Sequence, residues 1–106
     1  MLIGDASGVD SAVQKFYNNL SYGNVIVFAS DGRARNNIGS WEIRKIDVPN
    51  HTRGFNYYAE KDKAMAEDAD NGFMIWNGES KGTLNNIINL LNAEKHTIVY
   101  LTTGRF

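Results

Sequence analysis

The sequence predicts an α/β domain built on a mostly parallel sheet, and three observations carry that expectation. Short apolar runs alternate with longer segments whose apolar residues recur at i, i+3, i+4 and i+7, the periods of strands and of amphipathic helices. Two connections, 4–8 and 78–82, are small-residue turns with two glycines each that follow a strand and open a helix, the order of a parallel βαβ unit. A chain of 106 residues, 42% apolar and 22% charged, is the size and composition of one globular domain, 1–106, with a single core.

The elements follow in order. Met1 to Ile3 reads as the end of a strand, and Val9 to Leu20 as a helix with Val9, Ala12, Val13, Phe16, Tyr17 and Leu20 as its apolar stripe. Val25 to Phe28 is a strand, and 31–37 is a loop carrying Arg33, Arg35, Asn36 and Asn37. Trp41 to Val48 alternates apolar and charged residues as a short strand or extended segment does, and Pro49 ends it. Tyr57 to Ala69 reads as a helix stopped by Asp70-Asn71-Gly72. Gly72 to Trp76 is a strand, about 82–92 a helix on the stripe Leu84, Ile87, Ile88 and Leu91, and Thr97 to Leu101 a last strand.

Ligands of such sheets bind beyond the carboxyl ends of the strands. Parallel strands bring both glycine turns and the arginine loop to one edge. A helix N-terminus there offers free N–H groups and a positive dipole end. Ser80, Lys81 and Thr83 add two hydroxyls and an ammonium, which is what a phosphate or another small anion needs. The bland alternative is an ordinary strand-to-helix turn with Thr83 as N-cap. The loop is neither a Walker A motif nor G-x-G-x-x-G, because Lys81 precedes Gly82-Thr83 and the upstream glycine spacing differs.

Other classes find no support in the sequence. A net charge of −1 gives no electrostatic footprint for duplex nucleic acid or an anionic membrane. No apolar run approaches the roughly 18 residues of a membrane span, and Met1-Leu2-Ile3-Gly4 shows no signal peptide. Zero cysteines exclude thiolate chemistry and fit a cytoplasmic protein. His51 and His96 have no convergent ligand set around them, so neither a metal nor another cofactor is expected.

Gly4-Asp5-Ala6-Ser7-Gly8-Val9-Asp10, Lys61 to Asp70, and Gly78-Glu79-Ser80-Lys81-Gly82-Thr83 together resemble the SLOG superfamily of Rossmann-like proteins. That group includes the lysine-decarboxylase-like "Lonely guy" phosphoribohydrolases and the DNA-processing A proteins. The resemblance spans nearly the whole chain. It implies a three-layer domain with a mostly parallel sheet of about four or five strands and helices on both faces. It also implies a nucleotide or nucleotide-derived ligand at the loops above, in a homo-oligomer.

Two departures from the family pattern matter. The phosphoribohydrolase Arg-Lys pair falls on Lys61 and Asp62, and the catalytic glutamate's position holds Asn86. An amide neither stabilises oxocarbenium-like charge nor takes a proton from water well, which argues against hydrolysis and leaves phosphate binding intact. The chain also lacks the family's first strand-helix unit. Since that strand is central in the family, its neighbours pair directly, or another chain supplies a strand, or the frame is truncated.

The residue assignments follow. Gly78, Ser80, Lys81, Gly82 and Thr83 are expected to hold phosphate, with Gly4, Asp5, Gly8, Arg35 and Asn36 lining the neighbouring wall. Asp10 fits a helix-start carboxylate better than a ligand contact. Lys61 and Asp62 fit an exposed helix face or the site, and Trp76, Trp41, Tyr57 and Tyr58 fit the core or a stacking role. The first functional expectation is a nucleotide-binding sensor module. The rival is an enzyme acting at a nucleotide N-glycosidic bond, with Lys61, Asp62 or Glu79 carrying charge. A third is an assembly fragment that binds nothing.

Overall fold

The computed structural model describes residues 1–50 and 52–103. The element order is β1 (Leu2–Ile3), α1 (Val9–Asn19), β2 (Ile26–Ser30), β3 (Glu42–Ile46), α2 (Phe55–Asp68), β4 (Asn71–Trp76), α3 (Lys81–Asn92) and β5 (His96–Leu101). The class is α/β, and all three strand pairings are parallel. The strands form two sheets rather than the single one expected, β1-β2-β3 and β4-β5. Among the described residues β1 does not pair with β4: β1 is bonded to β2, and β4 to β5.

β2 carries the core. Val27, Phe28 and Ala29 are fully buried, as expected for a strand covered on both faces, whose residues read as an apolar run rather than an alternation. Each fully buried Val or Phe contributes about 1.5–3 kcal/mol. Ile3, Val25 and Val27 cluster, with Val13 of α1, Trp41 and Met1 packed against them. On the other face, the Ser30 hydroxyl donates to the carbonyl of Tyr57 in α2. β3 is exposed and charged (Glu-Ile-Arg-Lys-Ile), which protects an edge strand from pairing with other chains.

Three expectations are corrected. α2 is not stopped by Asp70-Asn71-Gly72. It ends at Ala69, whose ψ of 148° is extended, and Asn71 and Gly72 already belong to β4. Gly72 makes a close approach there, since a Cβ would run into Leu90 of α3. The α1 stripe is only partly inside: Phe16 and Leu20 are exposed, and the buried residue is Gln14. In α3, Ile87 and Leu90 are buried while Leu84, Ile88 and Leu91 are exposed. Helical periodicity marks an apolar arc, but a helix buries only the part of that arc a neighbouring element covers.

Candidate functional site

β1 leads directly into Gly4 and Asp5, both buried. Gly4 is squeezed between two charged groups: a Cβ there would lie 2.5 Å from Asp10 Oδ2 and 3.3 Å from Lys61 Nζ. Only glycine fits. Asp5 is fully buried. Its carboxylate accepts from the Arg35 backbone N–H at 2.9 Å and from Arg35 Nη2 at 2.7 Å, and Lys61 Nζ lies 3.6 Å away. The Arg35 guanidinium sits over the Tyr58 ring, 3.7 Å from its centroid.

Lys61 and Asp62 come from the middle of α2. Both are buried, Lys61 only 2% exposed, and Lys61 Nζ donates to Asp62 Oδ1 at 2.6 Å. Tyr58 precedes them by about one helical turn, on the same side of the helix as Lys61 and Asp62. Asp10, at the start of α1, accepts from the Ala6 N–H at 3.0 Å and closes the first glycine turn. Gly8 takes a φ of 89° at the N-cap of α1, a conformation glycine adopts without strain.

Gln14 ties this turn to the arginine loop. Its amide nitrogen donates to the carbonyls of Gly4 (3.0 Å) and Asn36 (3.1 Å), and its oxygen accepts from the Ile38 N–H at 2.9 Å. The Asn36 side chain donates to the Asp5 carbonyl at 2.8 Å. Polar groups removed from water must be paired in this way.

The three carboxyl groups differ sharply. Burial pushes Asp62 up from the ordinary value of 3.8, against the pull of Lys61. Burial likewise raises Asp10, against Lys61 and the Ala6 N–H. Burial also acts upward on Asp5, but the hydrogen bonds from Arg35 and the charge of Lys61 outweigh it and hold Asp5 below 3.8. An ionised carboxylate therefore stands beside carboxyls that keep their protons to higher pH, an arrangement that suits acid–base work. Such acceptor-rich groups also fit the hydroxyls of a sugar, as a carboxylate does at the ribose of dinucleotide folds.

The second group lies after β4. Asn77 Oδ1 accepts from the N–H groups of Glu79 and Ser80, both at 2.9 Å. Ser80, not Thr83, is the N-cap of α3, and its hydroxyl accepts from the Thr83 N–H at 3.3 Å. Three of the loop's amides are thus satisfied from within. Gly78, Glu79, Ser80 and Lys81 are exposed. Trp76 Nε1 donates to the Ser80 carbonyl at 3.1 Å and braces the turn. A shallow cleft of about 470 Å³ adjoins it, lined by Asn77, Gly78 and Tyr100 to Thr103.

The expected site residues therefore fall into two groups. Gly4, Asp5, Arg35, Asn36, Lys61 and Asp62 join Asp10 in one network, buried at Gly4, Asp5, Lys61 and Asp62 and exposed at Arg35. Gly78, Ser80 and Lys81, exposed, and half-buried Gly82 and Thr83 form one turn, and Glu79 stands with them. Gln14 was not foreseen, since a lone glutamine in a helix carries no signal of burial. Tyr58 had been considered for stacking, but not as the platform for Arg35. Trp41 packs at the core and donates from Nε1 to the Tyr22 carbonyl. Among the described residues no group of three or more His, Cys, Asp or Glu is arranged to hold a metal ion, and His51 lies outside them. Among them, too, no helix is long and apolar enough to cross a membrane. In comparison with known proteins, no family model, no curated protein and no solved structure matches the chain.

Proposed function

We propose that this chain binds a nucleotide or nucleotide-derived ligand and serves as a sensor or binding module. One observation carries the reading: Asp5, Asp10, Lys61 and Asp62 are packed together at the carboxyl end of β1, with Arg35 stacked on Tyr58 beside them. Buried charges are costly unless they have a task or a full set of partners. In this reading Asp10 and Asp62 take the ribose hydroxyls, while fully buried Asp5 holds Arg35 and Lys61 in place. Lys81, with the amides of the first turn of α3, takes phosphate. The two parallel sheets are then halves of one three-layer Rossmann-like domain whose carboxyl edges face the same ligand. The protein acts in the cytoplasm.

A thermal-shift panel tests the reading, using nucleoside mono-, di- and triphosphates, cyclic and sugar-linked nucleotides, and free phosphate. A ligand at 100 times its dissociation constant adds about 2.7 kcal/mol. The expected result is a shift in wild type that Lys81→Ala with Thr83→Ala loses. No shift with any compound rejects the reading in favour of an assembly role.

The raised Asp62 carboxyl beside ionised Asp5 favours a second reading, cleavage or transfer at the N-glycosidic bond of a nucleotide. Asp62 would protonate the departing base, which leaves with the bonding electrons, and water or an acceptor hydroxyl would add to the sugar, while fully buried Asp5 holds Arg35 and Lys61 in place. Release of free base from nucleoside monophosphates, abolished by Asp62→Asn, supports it. Binding without release rejects it.

A further inference from the structure

The dipeptide Asn-Gly occurs twice in this chain, at Asn71-Gly72 and at Asn77-Gly78. It is the pair most prone to lose ammonia without an enzyme. Glycine has no Cβ to hinder its own backbone nitrogen from closing a ring on the asparagine side chain. Both asparagines are exposed. Dipeptide and solvent access therefore do not separate the two sites, and the backbone does.

Asn77 stands just past β4, where the chain turns toward α3. Its Oδ1 accepts from the N–H groups of Glu79 and Ser80, both at 2.9 Å, so the side chain is folded forward over the Gly78 peptide. Gly78 takes a φ of 82°. Among the described residues, nothing beyond its chain neighbours lies within 4 Å of where a Cβ would stand, so its peptide has room to turn. Two N–H groups aimed at Oδ1 also stabilise the negative charge that this oxygen gains when Cγ is attacked, as the donors of an oxyanion hole do.

Asn71 is held differently. It belongs to β4, in register with His96, and Gly72 is in register with Thr97. Gly72 is also pressed against Leu90 of α3. Turning the Gly72 peptide toward the Asn71 side chain requires this end of the sheet to open first.

We propose that Asn77 is a site of spontaneous deamidation, and that the strand protects Asn71 from the same reaction. The Gly78 nitrogen gives its proton to solvent base and bonds to Asn77 Cγ. The Cγ–Nδ2 bond then breaks, and ammonia leaves with the bonding electrons and a proton taken from water. Water next adds to the cyclic imide. Opening between Cγ and the Gly78 nitrogen leaves aspartate. Opening between the main-chain carbonyl carbon of residue 77 and that nitrogen leaves isoaspartate. The net change consumes one water, releases one ammonia and adds one negative charge.

The two products act differently on the turn. Aspartate keeps an acceptor for both N–H groups and places its charge near the N-terminus of α3, where the dipole favours it. Isoaspartate adds a methylene to the main chain inside a turn that Trp76 Nε1 braces through the Ser80 carbonyl at 3.1 Å, so it loosens the α3 cap. Either product opposes a phosphate at this turn, although the proposal does not rest on the nucleotide reading.

Peptide mapping by mass spectrometry tests the proposal, after incubation of the whole chain at mildly alkaline pH with and without denaturing urea. In the folded chain, conversion should be at least about tenfold faster at Asn77 than at Asn71, the factor that an opening cost of about 1.4 kcal/mol imposes on Asn71. Position 77 should yield both aspartate and isoaspartate. In urea the two sites should converge, through a gain at Asn71 rather than at Asn77. Equal rates in the folded chain, a faster Asn71, or an Asn77 that converts only in urea overturns the proposal.

Discussion

Removing the Asp5 carboxylate tests whether the buried cluster holds the first turn, the arginine loop and α2 together. Asp5→Ala leaves the Arg35 backbone N–H without its acceptor, a loss of about 1–3 kcal/mol for a buried donor. The Arg35 guanidinium, 37% exposed, turns to water, so its share is small. Lys61 cannot do the same. It is 2% exposed and keeps only Asp62 as a close counter-charge. Breaking a buried ionic arrangement from one side costs about 3–5 kcal/mol when nothing compensates. Because Asp62 does compensate, the expected loss is about 3 kcal/mol, or roughly 10–20 °C in midpoint for a domain of this size.

Urea unfolding followed by circular dichroism measures it, with Arg44→Ala as control. The Arg44–Asp68 pair is 3.0 Å long but about half exposed on both sides, so its removal should cost under about 1 kcal/mol. Asp5→Asn, which keeps an oxygen to accept from the Arg35 N–H, should fall between the two. An Asp5→Ala loss no larger than that of Arg44→Ala refutes the reasoning.

Three further outcomes are expected. Asp10 and Asp62 have raised pKa values in the folded state, so their contribution is complete below 3.8 and is lost as pH rises through the folded values. Asp5 is depressed, so its contribution is present above 3.8 and lost as pH falls through its folded value. From these three groups stability should therefore rise with pH up to about 3.8 and decline above it. Asp62→Asn should flatten the decline above the peak, and an unchanged profile in denaturant titrations across pH contradicts this. Gly72→Ala should cost about 1–3 kcal/mol through overpacking against Leu90, read from the thermal midpoint, and a neutral result would show that α3 can shift away. Ser80→Ala should cost about 1 kcal/mol through loss of the α3 cap, whereas Thr83→Ala should cost less, since only the Thr83 backbone is used. Equal losses in calorimetry would return the cap to Thr83.

The element order was legible because local patterns determine it. Val25 to Phe28 is apolar throughout, as a buried strand is, and the 3.6-residue period marks α1 and α3, which are helices. What failed was whatever depends on a second element. Gly72 reads as a helix stop in isolation, but its reason lies 18 positions away in Leu90. The apolar arcs of α1 and α3 gave no sign of which part a neighbour covers. The split into two sheets was also invisible, because strand pairing is non-local.

At the site, the glycine turns were found from spacing, but the fates of their residues diverged. Lys61 and Asp62 have the polarity of a solvated helix surface, and their burial depends on elements distant in sequence, among them the turn that carries Asp5. Ser80 and Asn77 satisfy amides that the sequence leaves open, since capping depends on backbone angles rather than composition.

Backbone amide chemical shifts during titration with a nucleoside monophosphate test ligand binding at the carboxyl edge most directly, because they report each loop separately. Saturable shifts are expected at Gly4 to Gly8, at Arg35 and Asn36, at Lys61 and Asp62, and at Gly78 to Thr83, all following one binding curve. Amides that do not move at millimolar ligand, or shifts confined to residues elsewhere on the surface, would contradict it.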